Sequence, residues 1–300
     1  MFVLAHLSDI HLGPLPTPNP FELVGKRGLG FLNWLRKRRR LHRPEVLAAI
    51  VADLKAHAPD HIAVTGDLVN LSLSNEFAPA RDWLAGIGPP DSVTFVPGNH
   101  DCYVRAAAEF AERDWCDYMR GDKGESFPFV RRRGPLALIG LSTAVPTLPL
   151  AATGRLHGDQ LARLSQVLAE LGREQVFRVV LIHHPPIEAG NYFRRLVDRA
   201  NVRDALCRHG AELVLHGHHH EASLVWLSGP QCLPCVGVPS ASGAPGQHDE
   251  PAAYNLYEID GEPGRWRCTA ITRGLAPDGG PVVELARTEL AATEAAAARP

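Results

Sequence analysis

The 300-residue chain contains no uncharged apolar stretch close to the roughly 20 residues that a membrane-spanning helix needs. Its first residues also lack the basic region, apolar core and small-residue cleavage site of an export signal. We therefore expect a cytoplasmic protein, either free in solution or bound peripherally at the inner face of the membrane.

The chain also lacks the regular cysteine spacing of a small secreted protein, since its six cysteines are scattered along the sequence. One CxxC motif, from Cys232 to Cys235, has no second pair that would complete a zinc site. Its apolar setting before Val236 favours a buried strand over a metal site.

Charge of one sign is not in large excess, because the formal net charge is only -2. Outside one local cluster there is no long basic stripe, so nucleic acid is not an expected partner. With 45% hydrophobic residues, the chain can bury a large core. No linker rich in Pro, Gly or Ser divides it, so we expect a single domain over 1–285, with an insertion at 21–43. Residues 286–300 are rich in Ala and Glu and are expected to form a disordered tail or a frayed helix.

Short apolar runs alternate with helical patterns along most of the chain, which indicates an α/β fold. Near the C-terminus strands follow one another without helices, so we expect antiparallel pairing there. The predicted strands are 2–7, 61–65, 93–96, 136–141, 178–182, 212–216, 254–259 and one around 266–271. The predicted helices are 44–58, 75–84, 106–119, 160–171 and 195–208.

Five polar clusters follow five of the predicted strands. They are Asp9-Ile10-His11, Gly66-Asp67, Gly98-Asn99-His100-Asp101, His183-His184-Pro185 and Gly217-His218-His219-His220. Because the carboxyl ends of strands meet at one edge of an α/β sheet, these distant residues are expected to converge. A single Asp or His after a strand is more often a cap or a surface residue, but repetition at the same edge favours a metal site.

The candidate ligands are carboxylates, one amide and neutral imidazoles, without a thiolate. This set suits manganese, which we expect first, and also iron, zinc or cobalt. Asp9 and His11 are two residues apart on an extended segment and should point the same way, as should His218 and His220. Since a carboxylate such as Asp67 can bridge two cations, we expect two divalent metal ions.

The ordered set Asp-x-His, Gly-Asp, Gly-Asn-His-Asp, His-x-Pro and Gly-His-x-His, over residues 9 to 220, resembles the calcineurin-like metallophosphoesterase superfamily. The resemblance implies a four-layer α/β/β/α sandwich with two mixed sheets and a dinuclear metal site at the strand ends. It implies that one metal is held by Asp9, His11, Asp67 and His220. It implies that the other metal is held by Asp67, Asn99, His183 and His218.

By the same resemblance, His100 approaches the leaving group or a phosphate oxygen, and Asp101 orients it. A hydroxide that bridges the cations is the expected nucleophile, because metal binding lowers the pKa of water from about 15.7 toward roughly 7. A charged His100 would then donate a proton to the departing oxygen. The neighbouring histidines that alternation turns away from the metals are His184, His216 and His219.

Residues 21–43 combine aromatic and aliphatic side chains with a basic run from Arg36 to Arg40. This combination is typical of a segment at an anionic membrane, and Trp34 directly before the run supports that interpretation. In the other interpretation, the apolar residues pack on the domain and the basic residues form a solvated face. The segment looks similar to superfamily members that cleave the pyrophosphate of UDP-diacylglucosamine in lipid A synthesis.

We therefore predict a metal-dependent hydrolase of a phosphodiester or pyrophosphate bond, with a lipid-linked substrate such as UDP-diacylglucosamine. A cyclic-nucleotide or general phosphodiesterase would use the same metal site, and the sequence leaves this alternative open. An alternative of another class is a non-catalytic interaction module, although the complete ligand set and His100 argue against it.

Overall fold

Two six-stranded mixed sheets form the centre of the computed structural model, which describes residues 1–188, 191–229, 232–246, 250–276 and 279–292. In spatial order, the first sheet comprises β12 (Val282–Ala292), β11 (Arg265–Leu275), β10 (Ala253–Glu262), β1 (Phe2–Leu7), β2 (His61–Val64) and β3 (Val93–Phe95). The second comprises β4 (Phe129–Arg133), β5 (Leu136–Gly140), β6 (Phe177–Leu181), β7 (Leu213–His216), β9 (Leu233–Gly237) and β8 (Ser223–Leu227).

Helices lie between the strands along the chain. They are α1 (Lys26–Asn33), a π-helical turn (Trp34–Arg38), α2 (Arg39–Leu41), α3 (Pro44–Ala56), α4 (Phe77–Ile87), α5 (Ala107–Trp115), α6 (Gly158–Glu174) and α7 (Arg199–His209). Single 3₁₀ turns form at Pro20–Leu23, Cys116–Tyr118 and Tyr192–Arg194. Within the described residues, no helix is long and apolar enough to cross a membrane.

Successive side chains along the strands of the second sheet point to opposite faces, which explains why a hydrophobic core lies on each face. In β5, Leu138 belongs to the large core that both sheets share, whereas Ile139 packs in a second core with Leu164 of α6 and Val202 of α7. Successive strand residues point to opposite faces, so an apolar strand can be buried on both sides. The predicted α/β fold with two mixed sheets is confirmed.

Parallel pairing brings the carboxyl ends of several strands to the same level. Leu7 of β1 lies opposite Val64 of β2, which in turn lies opposite Phe95 of β3. In the second sheet, Leu181 of β6 lies opposite Leu215 of β7. The loops that follow these five strands therefore begin at matching heights in each sheet.

All eight predicted strands are present, and the expected antiparallel pairing is confirmed for β10, β11 and β12. The expected C-terminal tail is wrong for residues 286–292, because β12 pairs with β11 through Ala292. Residues 293–300 lie outside the described part of the chain. The CxxC motif falls at the start of β9, with Cys235 buried and Cys232 exposed, as a strand interpretation requires.

Candidate metal centre

The seven predicted metal ligands come together at the carboxyl ends of β1, β2, β3, β6 and β7. Each is at most 6% exposed. They are Asp9, His11, Asp67, Asn99, His183, His218 and His220. Buried charged and polar groups at this density must be paired or bind an ion, because burying an unpaired charge costs several kcal/mol or more.

Five of these residues have a left-handed backbone, which non-glycine residues rarely adopt. Their φ angles are 54° for Asp9, 44° for His11, 55° for Asp67, 73° for His218 and 60° for His220. Such conformations cost about 1–3 kcal/mol each and concentrate at functional sites. The extended geometry that we expected for the Asp-x-His and His-x-His pairs is therefore wrong, although each pair still reaches the same site.

One group of donor atoms is formed by Asp9, His11 and His220, whose ligand atoms lie within 4.8 Å of one another. Nε2 of His220 lies 3.1 Å from Oδ1 of Asp9 and 3.4 Å from Nε2 of His11. Oδ1 of Asp9 is buried and accepts no hydrogen bond within the described residues. A cation between these atoms would satisfy that oxygen.

A second group of close donor atoms is formed by Asp9, Asp67 and His183, and it shares Asp9 with the first group. Oδ2 of Asp67 lies 3.8 Å from Nε2 of His11 and 3.5 Å from Nε2 of His183. Nε2 of His183 is also 3.3 Å from Oδ1 of Asn99. Asp67 thus lies between a histidine of the first group and a histidine of the second.

Two of the candidate ligand histidines, His183 and His11, are oriented by backbone carbonyls. Nδ1 of His183 is 2.7 Å from the carbonyl oxygen of Thr65, and Nδ1 of His11 is 3.3 Å from that of Val69. A proton on each Nδ1 leaves Nε2 with a free lone pair toward the centre, which is the state a metal ligand needs.

The buried environment shifts the pKa values of the Asp67 and Asp9 carboxyl groups in opposite directions. Burial, followed by the nearby charge of Asp9, raises the pKa of Asp67 to about 8. Burial also opposes ionisation of Asp9, but His220, His183 and the hydroxyl of Ser8 together outweigh it and lower the pKa of Asp9. A pair of buried carboxyl groups that cannot both ionise without help is suited to divalent cations.

His184 is nearer the centre than alternation suggested. Its ring lies 4.3 Å from that of His218, and these two residues with His183 form a third group of close donor atoms. Both ring nitrogens of His184 have other partners, Oγ1 of Thr143 at 2.8 Å and the carbonyl of Ala152 at 3.2 Å. The prediction that alternation turns His184 away from the centre is wrong, but these two hydrogen bonds leave it as a support beside His218.

The predicted role of Asp101 requires correction. Its carboxylate accepts hydrogen bonds from the backbone N–H groups of Asp67, Leu68, Val69 and Gly98 at 2.7–3.2 Å. It therefore fixes the two loops that carry Asp67 and Asn99, and no hydrogen bond joins it to the ring of His100 among the described residues.

His100 is instead held by the carbonyl of Asn70, which accepts from Nδ1, and by Arg38, whose Nη1 lies 2.8 Å from Nε2. This network assigns the ring proton to Nδ1. Burial, followed by the charge of Arg38, holds the pKa of His100 well below its usual range. This environment favours the neutral ring, whereas the sequence analysis expected a charged His100.

A cavity of about 350 Å³ opens beside these groups. Residues from the inserted segment line it together with Asp67, Asn99, His100 and His218. The sequence did not identify Arg38, because nothing distinguishes it within a run of five basic residues. It also did not identify Tyr103, which stacks on His100 with a ring separation of 5.4 Å.

A family model described as calcineurin-like phosphoesterase matches residues 2–222. The chain belongs to the calcineurin-like phosphoesterase family. Its resemblance to that family, inferred from the motifs, is confirmed, and family membership supports a metal-dependent phosphoester hydrolase.

The chain is also similar to two curated phosphodiesterases and to a solved dimetal phosphatase. It is 28% identical to a probable cyclic nucleotide phosphodiesterase of Synechococcus sp. over 224 residues, which are 73% of this chain and 79% of that protein. It is 23% identical to a glycerophosphodiester phosphodiesterase of Enterobacter lignolyticus over 239 residues, 74% of this chain and 72% of that protein. A solved dimetal phosphatase from Danio rerio has the same fold, with a TM-score of 0.62, 13% identity, and coverage of 96% of this chain and 99% of that chain.

Proposed function

We propose that the protein hydrolyses a phosphoester with two divalent metal ions held by the seven predicted ligands. The position of Asp67 carries the proposal, because its Oδ2 lies 3.8 Å from His11 and 3.5 Å from His183. A carboxylate between two such groups is able to bridge metals at the roughly 3.5–4 Å separation used for in-line displacement.

The proposed ligands divide into two sets that share Asp67. One metal would be held by Asp9, His11, Asp67 and His220. The other would be held by Asp67, Asn99, His183 and His218. Nitrogen and oxygen donors without thiolates favour manganese, with iron, zinc or cobalt as the alternatives.

When bound, the cations would neutralise phosphate oxygens and lower the pKa of a coordinated water. The chain itself supplies groups that bind and orient the substrate. His100 lines the cavity and presents Nε2 beside Arg38, so that nitrogen is able to accept a hydrogen bond or a proton. Donation to a departing oxygen would require Nε2 to be protonated first.

Hydrolysis of bis-p-nitrophenyl phosphate tests the proposal, with metal content measured on the same samples. We expect two ions per chain, metal-dependent cleavage, and loss of cleavage in Asp67→Asn and Asn99→Ala. Asp82→Asn and Asn201→Ala, which change exposed side chains of the same types, are the matched controls. A wild-type protein that binds no divalent ion and cleaves no ester would favour the non-catalytic module instead.

The substrate class that the relatives support is a phosphodiester. Both curated relatives described above are named as phosphodiesterases, one for cyclic nucleotides and one for glycerophosphodiesters. Comparison of cyclic AMP, glycerophosphocholine and bis-p-nitrophenyl phosphate as substrates would distinguish a cyclic-nucleotide enzyme from a general phosphodiesterase.

A second candidate is a lipid-linked pyrophosphate such as UDP-diacylglucosamine, cleaved at an anionic membrane. Apolar side chains are exposed next to the cavity: Leu29 is 52% exposed and Leu150 is 91% exposed, and both line the cavity. Lys26 joins the inserted segment, which carries Leu29, to the segment that carries Leu150, because its Nζ donates a hydrogen bond to Oγ1 of Thr147 at 2.6 Å. The other strongly exposed apolar residues of these segments and of the 3₁₀ turn after β6 are Phe21, Val24, Leu32, Leu148, Tyr192 and Phe193.

Basic side chains accompany this apolar rim. Arg36, Lys37, Arg39 and Arg40 are all exposed on the inserted helix. Each basic residue near an anionic bilayer contributes about 1 kcal/mol to binding, and exposed apolar side chains add insertion into the headgroup region. This combination favours an amphiphilic substrate over a fully soluble one.

Co-sedimentation with vesicles tests the membrane candidate. Replacing Arg36, Arg39 and Arg40 with Ser, while Arg38 is retained, should weaken binding to phosphatidylglycerol vesicles on the order of a hundredfold. Leu148→Ser/Leu150→Ser should weaken it further, whereas Leu224→Ser, an exposed leucine on β8, should not. Equal sedimentation of all variants, or none for wild type, would identify the rim as a solvated face.

A further inference from the structure

We propose that Arg38 of the inserted segment binds the phosphoryl oxygens of the substrate and makes the site prefer phosphate groups that carry two negative charges over monoanionic diesters. The inference rests on the proposed hydrolase function. It assigns to one residue of the basic run a role that differs from that of its neighbours.

Arg38 is turned into the protein, whereas the residues on either side of it in sequence are exposed. Its Nη1 lies 2.8 Å from Nε2 of His100, and its Nη2 lies 3.4 Å from Nε2 of His11. Arg38 ends the π-helical turn that begins at Trp34, and such turns change the helix register and are frequent at functional sites. The backbone of this segment therefore directs one guanidinium at the candidate metal centre.

The segment is anchored beside the same centre by the residues that follow. His42 is buried, and its ring lies 4.3 Å from that of His11. Its Nδ1 lies 2.9 Å from Oγ of Ser242, in the segment that follows β9. Arg38 is thus carried by a segment that is fixed against the site at its C-terminal end.

Other cations face the same cavity, among them Lys37, which precedes Arg38 in the basic run. Lys26 is half-buried, with Nζ 4.1 Å from the centre of the Tyr103 ring, and burial lowers its pKa to about 8. Arg194 lines the cavity and donates to the carbonyl of His218 at 2.6 Å. Among the described residues, the carboxylate that faces this cavity is Asp67, which is a candidate metal ligand.

The balance of charge favours an anion of higher charge than a diester. Two divalent cations exceed the combined charge of Asp9 and Asp67 by two, or by one once a hydroxide nucleophile is bound, and Arg38 and Arg194 each add one further positive charge. A simple phosphodiester carries one negative charge, whereas a pyrophosphate diester or an ionised phosphomonoester carries two. Because a guanidinium presents paired N–H donors that match two phosphate oxygens, Arg38 is the residue best suited to recognise the additional charge.

The test compares Arg38→Gln with Arg39→Gln, whose arginine is adjacent and exposed. Calorimetry measures the binding of inorganic phosphate to the manganese-loaded proteins, and metal content is measured in parallel. We expect Arg38→Gln to weaken phosphate binding about tenfold to a hundredfold at unchanged metal content, with Arg38→Lys intermediate and Arg39→Gln unchanged. We also expect kcat/KM to fall more for p-nitrophenyl phosphate and UDP-glucose than for bis-p-nitrophenyl phosphate.

Two results would overturn the inference while leaving the hydrolase intact. Phosphate affinity within twofold of wild type in Arg38→Gln would show that the guanidinium does not contact the anion. Loss of metal from Arg38→Gln and Arg38→Lys alike would show that Arg38 supports the ligands instead. Failure of the hydrolase itself would be seen separately, as a wild-type protein without metal uptake or ester cleavage.

Discussion

The carboxylate of Asp101 accepts a hydrogen bond from the backbone N–H of Asp67 at 2.7 Å. The same oxygen accepts from the N–H of Gly98 at 2.8 Å, and the other accepts from Leu68 at 2.8 Å. One buried side chain therefore joins the loop after β2 to the loop after β3. This connection helps Asp67 to keep a backbone φ of 55°, a conformation that its own chemistry disfavours.

Asp101→Asn should destabilise the protein by about 2–3 kcal/mol, because an amide nitrogen would face backbone donors in place of a carboxylate oxygen. Displacement of Asp67 should also weaken metal uptake. Urea unfolding and metal analysis measure the two effects, and Asp82→Asn on the surface of α4 should stay within about 0.5 kcal/mol of wild type. Normal stability and metal content with lost catalysis would instead make Asp101 a direct participant in the chemistry.

Gly98→Ala should reduce metal uptake and ester cleavage without a large decrease in the free energy of unfolding. A Cβ on Gly98 would overlap the carboxylate and the backbone nitrogen of Asp67, so the Asp67 carboxylate must move. Gly86→Ala is the matched control, since a Cβ there meets nothing within 4 Å. The control should stabilise α4 by about 0.5–1 kcal/mol at unchanged activity. Full metal content in Gly98→Ala would contradict the steric argument.

The candidate ligands could be predicted because their signal lies in short motifs at strand ends. Each motif follows a strand whose apolar run is visible in the sequence, and parallel pairing then fixes where the motif lies. Asp9 and His11 lie at one site, as predicted, but their backbone is left-handed instead of extended. A left-handed φ at His11 depends on the hydrogen bond from its N–H to the carbonyl of Asp67, a long-range contact that local sequence does not specify.

The inserted segment could not be interpreted fully from its composition. Both sequence interpretations treated its basic residues as one set, yet Arg36 is exposed while Arg38 faces His100. Helical register and the π-helical turn decide this difference, and neither produces a compositional signal. The edge strands β4, β8 and β12 were missed for a related reason, because their partly exposed faces give short and interrupted apolar patterns.

Stability should fall with acidification through His61, which lies in β2 away from the metal centre. Burial, followed by the charges of Arg133 and Arg131, lowers the pKa of His61 to about 3. The unfolded chain takes up a proton below about pH 6.5, whereas the folded chain does not, so stability is complete above that pH and decreases toward pH 3. Below about pH 6.5, this one residue changes the free energy of unfolding by up to about 1.4 kcal/mol per pH unit.

Urea unfolding from pH 8 to pH 5 measures this effect, and His61→Gln should reduce the slope below pH 6.5 by that amount. Glutamine is able to retain a hydrogen bond to Thr94, whose Oγ1 lies 2.7 Å from Nε2 of His61. His157→Gln changes an exposed histidine and should leave the slope as in wild type. An identical slope in His61→Gln would mean that His61 is protonated in the folded protein.

His100→Ala should lower kcat/KM for bis-p-nitrophenyl phosphate by roughly a hundredfold while leaving metal content unchanged. The reason is its position, since the ring lies beside the candidate ligands and contacts Arg38 and Asn70 instead of completing a donor group. His219→Ala, in the Gly217-His218-His219-His220 motif, should alter neither quantity. Loss of metal from His100→Ala would place His100 among the ligands, and unchanged kcat/KM would remove it from the chemistry.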